Sequence, residues 1–303
     1  MTQIVIDGLS LEFECDSLGK LKNHPLGIST SSSRALYLLA LLIGAVKIIS
    51  DDSSITQGKN YMVIGAPPSS PFASQNLERS FSDLREEING KLYFKNAKKI
   101  ICDYLNSQRS NHNLFSPLFN ELARSIIQNN NKKGLSAFVH IYRAFEYSSF
   151  TFPLFYCRYE KEYLKVYNLL KDFFKGGELD FCSNFFQHLV VQEGLEQLQM
   201  EIKFKGIHAA EFATCMLNFV SWNEKNHGNT ITSTSQSSVQ ISFKYCFDLI
   251  VRLRNGFFHH LAGSNSSISS FQIKNADEFF IPINELALQV FGFIYGKIIR
   301  THL

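Results

Sequence analysis

The chain has 303 residues, 45% of them apolar and 19% charged, with a formal net charge of +3. That length holds one large or two ordinary domains with proper cores, and that composition excludes a disordered chain. A balance so near neutrality neither requires nor excludes a nucleic-acid partner, because a local basic patch is enough to hold phosphates.

Taken in order, residues 3–6 and 9–15 flank Asp7-Gly8 and read as two short strands around a turn. Polar residues 16–33 follow, where Ser31-Ser32-Ser33 offers an N-cap ahead of Arg34. A helix over 34–46 is apolar on nearly every side and is expected at the centre of a small domain. The apolar run 35–49 falls short of the roughly 20 residues of a membrane span, so a buried helix is expected there. A loop over 51–59 and a short strand over 61–64 come next, and the prolines of 66–71 exclude regular structure. Residues 74–88 are amphipathic, with Leu77, Phe81, Leu84 and Ile88 at helical spacing. Asn89-Gly90 stops that helix, and 91–94 supplies a strand or wing.

This order over 1–105 resembles a winged helix of the response-regulator DNA-binding type, with 77–88 in the recognition-helix position. Glu78, Asp83, Glu86 and Glu87 outnumber Arg79 and Arg85 on that stretch. A groove lined with phosphates calls for the opposite charge, so a regulatory or protein-contact domain is expected.

Polar residues 106–113 mark the domain boundary, and 129–133 lie beyond a short helix over 117–128. From 134 onward the sequence reads as all helix, and 28 Phe against a single Trp favour a thick aromatic core. A long helix over 135–157 is expected to kink near Pro153. Helices over 162–174, 179–191, 195–204 and 207–220 follow, with Gly176-Gly177 and Gly194 as breaks. A Ser/Thr-rich loop over 226–238 leads to a helix over 241–260. A second Ser-rich loop, 262–270, leads to a closing helix over 283–299. The expected fold class is α+β: a mixed domain over 1–105, then an all-α bundle over 114–303.

The six cysteines, Cys15, Cys102, Cys157, Cys182, Cys215 and Cys246, sit in or beside apolar runs with no Cys-x-x-Cys pair. Buried reduced thiols in a cytoplasmic protein are the expectation. The opening MTQIVIDGLSLEF lacks the basic start and apolar core of a signal peptide. His188, His208 and His227 have no His or Cys three or four residues on, so no metal site is expected. A Gly-rich phosphate cradle is missing too, and no cofactor is expected.

The stretch that organises the chemistry is 243–261, FKYCFDLIVRLRNGFFHHL. Arginine keeps its charge and matches a phosphate with a bidentate fork, whereas histidine titrates near neutrality and can move protons. At about 100° per residue, Arg254 and His259 fall roughly 140° apart on an ideal helix, unless it ends or bends at Gly256. Asn255 and His259 share a face, with Arg252 on it as well. Tyr142-Arg143-Ala144-Phe145-Glu146 is the second stretch of interest, with Arg143 and Glu146 one turn apart. That pair reads equally as support for a site or as an i, i+3 surface ion pair. Lys132, Lys133, Lys203 and Lys205 fit either an RNA-binding rim or a solvated face.

Arg254-Asn255-x-x-x-His259 resembles the Arg-x4-His signature of HEPN-domain ribonucleases, and the resemblance extends over roughly 114–303. It implies a metal-independent endoribonuclease in which two subunits set their motifs opposite each other in one cleft. His259 would act as the acid/base group, Arg254 as phosphate binder, and Asn255 would orient the histidine or the phosphate. Arg252 and His260 fit a looser spacing of the same motif, and Arg143 and Glu146 resemble an Arg-x-x-Glu placement in some members. The resemblance further implies RNA as substrate, a homodimer, a bacterial anti-phage or toxin role, and a protein partner or antitoxin, with no membrane association. The rival expectation is a non-catalytic HEPN-like scaffolding subunit of a defence complex.

Overall fold

The computed structural model describes residues 3–6, 9–13, 34–50, 53–64, 73–84, 86–88, 91–93, 95–174, 178–223, 231–258 and 273–301. It is mostly helical with small antiparallel sheets, an α+β chain. Two compact units emerge: residues 1–127 with 291–303, and residues 128–290. The sequence reading placed its boundary at the polar stretch 106–113. Here that stretch carries the end of one helix, a 3-10 turn over Arg109–Asn111 and the start of the next helix.

In the first unit, β1 (Gln3–Ile6) and β2 (Leu9–Phe13) form the expected hairpin. The helix α1 (Arg34–Leu42) is buried from Ala35 to Leu42. It stops four residues before the expected end. Gly44, at φ +72°, lets the Ala45 N–H donate to the Ala40 carbonyl at 2.9 Å and its own N–H to Leu41 at 3.3 Å. This is a Schellman closure, which needs a left-handed residue just past the helix. A Cβ there would also lie 2.6 Å from the Lys59 carbonyl oxygen.

The β-branched run that follows then forms a strand, β3 (Val46–Ser50), where the side chains fit a pleated surface. The loop expected over 51–59 contains β4 (Ser53–Gln57), so β1 to β4 make one antiparallel meander in chain order. Residues 61–64 are turn rather than strand.

The amphipathic stretch 74–88 also divides. Only α2 (Ala73–Ser80) is α-helical, a 3-10 turn covers Ser82–Leu84, and β5 (Glu86–Ile88) pairs with β6 (Lys91–Tyr93). An Asn-Gly dipeptide between short runs favours a tight hairpin, which overrides the helical periodicity upstream. Leu77 and Phe81 are fully buried. Asp83, counted as acidic surface in the sequence, holds Arg300 by two hydrogen bonds of 2.8 and 2.9 Å. Helices α3 (Lys95–Ser107) and α4 (His112–Asn130) follow. The last turns of α11 (Ala276–Arg300) complete the core. Tyr295 is buried edge-on to Tyr104 and Phe115, each ring at 6.1 Å, and its hydroxyl donates to the Ala35 carbonyl at 2.9 Å.

The second unit starts where α4 ends. Helices α5 (Gly134–Ser148) and α6 (Thr151–Cys157) replace the single kinked helix expected over 135–157. Pro153 sits at the third position of α6, where a missing N–H costs nothing, but its ring would meet the Ser149 carbonyl in a continuous helix. Helices α7 (Tyr163–Phe173), α8 (Glu178–Gln192) and α9 (Ala209–Asn223) lie close to their expected places.

The all-α expectation is corrected here. A three-stranded antiparallel sheet of β7 (Gln199–Lys203), β8 (Ile231–Thr234) and β9 (Ser238–Ser242) lies within this unit, in the order β7-β9-β8. Met200 and Ile202 point inward while Gln199, Glu201 and Lys203 face out, a period of two that a helix cannot use. A 3-10 turn over Phe243–Tyr245 then leads into α10 (Cys246–Phe258).

Gly134 fixes α5 against α11. A Cβ on it would lie 2.1 Å from the Asp277 carbonyl oxygen, and Asp277 Oδ1 accepts the Leu135 N–H at 3.0 Å. Buried Asn284 donates to the Gly134 carbonyl at 2.8 Å and to Asn129 at 2.9 Å. Among the described residues α11 is long and apolar enough to cross a membrane, yet 78% of its apolar window is buried inside the protein.

Candidate functional site

α10 is amphipathic, and its placement follows from that. Cys246, Phe247, Leu249, Ile250 and Leu253 are buried, with Phe247 edge-on to Phe145 of α5 at 5.0 Å and 6.1 Å from Phe186 of α8. With that face inward, Arg252, Arg254 and Asn255 emerge on the other side. The helix runs through Gly256 to Phe258.

The two arginines have different fates. Arg252 pairs with Asp248 one turn back, at 2.5 Å. Arg254 instead turns toward α5, its guanidinium carbon 4.7 Å from the centroid of the Tyr142 ring. Its Nη2 lies 3.8 Å from Glu146 Oε1, and its Nη1 donates to Asn255 Oδ1 at 3.0 Å. Stacking on an aromatic face and a carboxylate beside one edge hold the planar fork in one orientation.

The result is a cleft of about 230 Å³ lined by Val139, Tyr142, Arg143, Glu146, Arg254 and Phe258. The sequence reading had named Arg143, Glu146, Arg254 and Asn255. The first three line the cleft, and Asn255 accepts a hydrogen bond from Arg254. His259 and His260 lie outside the described residues.

Tyr142 and Phe258 had no assigned part in the sequence reading. Each lies on the helical spacing of a residue that had one: Phe258 is four residues after Arg254, and Tyr142 four before Glu146. The same-face rule was enough to find both.

A guanidinium carries five N–H donors in a fixed fork. Two neighbours account for part of that fork here, and the exposed Arg143 adds a second cation at the cleft. The arrangement can bind and orient an anionic oxygen pair, and Glu146 supplies a carboxylate acceptor. Among the described residues no cluster of His, Cys, Asp or Glu could hold a metal ion.

Cys157, Cys182 and Cys246 are buried free thiols, and Cys102 and Cys215 are half-buried. Burial pushes the Cys157 thiol up to about 11, and those of Cys182 and Cys246 higher still. That disfavours the thiolate and marks them as core atoms rather than nucleophiles. No protein-family model, curated protein or solved structure matches this chain.

Proposed function

We propose that the protein is a metal-independent endoribonuclease of HEPN type, with Arg254 as its phosphate-binding group and His259 as its acid/base group. The observation that carries this reading is the meeting of Arg254 with Arg143, Glu146 and Tyr142 at one cleft. Arg254 and the stretch that holds Arg143 and Glu146 are far apart in the chain, yet all three residues line this cleft.

In the proposed reaction a histidine takes the proton of a ribose 2′-hydroxyl, and the oxygen forms a bond to the adjacent phosphorus. The bond to the 5′-oxygen breaks, and that oxygen leaves with a proton from a second histidine, supplied by another copy of the chain. The products carry 2′,3′-cyclic phosphate and 5′-hydroxyl ends. Arg254 would stabilise the charge gathered on the non-bridging oxygens, where a preorganised donor has the most effect. Asn255 and Glu146 would act through it, as positioning residues. A role in bacterial anti-phage defence or a toxin system follows from the resemblance.

The HEPN-like bundle would then be one carrying a three-stranded insertion before its motif helix. The winged-helix likeness of 1–105 is kept as a proposal for a regulatory protein contact, supported by the sheet and the β5–β6 hairpin.

A second reading, a non-catalytic scaffolding subunit, is favoured by one observation. On α7, Tyr163, Leu164 and Tyr167 are 78%, 70% and 53% exposed, an apolar face suited to a protein partner.

The test is cleavage of total RNA by the purified protein with chelator present, beside Arg254→Ala and His259→Ala, with host growth scored on induction. Cutting that both substitutions abolish in folded protein supports the nuclease. No cutting, with toxicity indifferent to His259, leaves the scaffold.

A further inference from the structure

Phe257 and Phe258 end α10 with opposite duties. Phe257 is half-buried and lies edge-on to Phe280 at 5.2 Å, an anchor into the core. Phe258 is 42% exposed. Its plane is almost parallel to that of Phe138, within 4°, at 6.4 Å between centroids. Phe257 closes an edge at 5.2 Å. Rings on two sides therefore fix the plane of Phe258, and the ring borders the same cleft as Arg254 and Arg143.

We propose that Phe258 is a base-stacking platform, and that the ligand of this cleft is single-stranded RNA with one nucleobase laid on that ring. The inference rests on the nuclease reading given above and deepens it by assigning a base subsite. Three features select this ligand. A planar, exposed ring of fixed orientation binds a flat apolar surface and does so without regard to base identity. Two arginines at the same cleft take the charge of the adjacent phosphate. The cleft, at about 230 Å³, is below the roughly 300 Å³ at which enclosed small-molecule sites begin, which suits one base better than a whole cofactor.

A duplex is excluded as the preferred form. Its bases are already stacked on one another and its grooves present edges rather than faces. The platform thus predicts a preference for single strands that the phosphate contacts alone would not produce. Sequence preference at this subsite should be weak.

The experiment is fluorescence anisotropy with a short, mixed-sequence 2′-O-methyl RNA. That probe keeps bases and phosphates but lacks the hydroxyl that cleavage needs. A fully abasic strand of the same length serves as the second probe. Binding is compared for the wild type, Phe258→Ala, Phe258→Leu, Phe258→Trp and Arg254→Ala. Phe258→Ala and Phe258→Leu should weaken the base-bearing probe about tenfold, the scale of one lost base stack, and leave the abasic strand unaffected. Phe258→Trp should bind as well as the wild type. Arg254→Ala should weaken both probes.

Equal binding of the base-bearing probe by wild type and Phe258→Ala overturns the platform. If Arg254→Ala still loses binding in that case, the nuclease reading stands without it. Absence of binding by the wild type overturns the platform too, and if Arg254→Ala also leaves cleavage unchanged, the nuclease reading falls with it. A change in sedimented mass on Phe258→Ala, with RNA binding intact, would make the ring a protein contact and likewise overturn the proposal.

Discussion

Arg254 lies over the Tyr142 ring, guanidinium carbon to ring centroid 4.7 Å, and so joins α10 to α5. The contact separates two arginines that the sequence leaves equivalent. Arg254→Ala should lower RNA cleavage by about 10²–10³-fold in kcat, the cost of removing one preorganised donor. Arg252→Ala removes only the ion pair with Asp248 and should leave the rate near that of the wild type. Initial-rate assays on one RNA substrate check both, and equal losses would show that the cleft does not distinguish them.

Glu146 is predicted to act through Arg254. Glu146→Gln keeps shape and hydrogen bonding but removes the charge 3.8 Å from Nη2. The freed guanidinium should bind phosphate more tightly yet orient it less well, so KM falls and kcat falls with it. A steady-state series reads the two separately, and a change confined to thermal stability would reduce Glu146 to a surface ion-pair partner.

Gly134 predicts a stability effect. Gly134→Ala places a methyl 2.1 Å from the Asp277 carbonyl oxygen of α11, backbone against backbone with no flexible side chain to yield. Overpacking of this kind costs about 1–3 kcal/mol. Gly58→Ala, where nothing lies within 4 Å, should stay within about 0.5 kcal/mol of wild type. Urea unfolding of the pair gives the comparison.

His188 predicts an acid-sensitive second unit. Its ring lies 5.9 Å from that of Tyr156 and 5.6 Å from that of Phe173. Burial drives its pKa below the ordinary value, against the pull of Asp172 and with a smaller push from Lys165. The folded state thus binds protons less readily than the unfolded chain. Its contribution is present above about pH 6.5, the unfolded value, and is lost as pH falls through the lower folded value. The unfolding midpoint of wild type should drop over that window more than that of His188→Gln.

Asp83 acts at lower pH. Burial works to raise its pKa, but the hydrogen bonds and charge of Arg300 outweigh that and hold the carboxyl below its ordinary value. Stability from the pair is present above about pH 4 and is lost as pH falls through the folded value. The carboxylate is half-exposed, so the effect should not exceed about 1 kcal/mol. Asp83→Asn should flatten the acid limb of the stability curve by that amount.

Elements with one clear period were legible from the sequence: the β1–β2 hairpin, α7, α8 and α9. Where two signals competed, the local one won. Gly44 divided an apolar run into α1 and β3, and Asn89-Gly90 turned the end of an amphipathic stretch into a hairpin. The sheet of β7, β8 and β9 was hidden because its strands are short and β7 lies far from its partner β9 in the chain, while the Ser/Thr-rich composition around β8 reads as loop. At the site, Arg254, Arg143 and Glu146 were legible as residues, but their convergence depends on how the Phe145 and Phe247 faces pack, which a linear reading does not contain.

The first unit takes its last layer, Tyr295 and Arg300, from the far end of the chain. On a ribosome adding about 5–20 residues per second, residues 1–127 therefore wait on the order of ten seconds or more before that layer is made. Through that interval Ala35 lacks the hydroxyl that bonds its carbonyl, and Asp83 lacks its arginine. The half-finished unit is a natural client for a chaperone. Frameshifts or stops near residue 290 should damage the packing of residues 1–127, in which no residue has changed, as severely as the helix they remove.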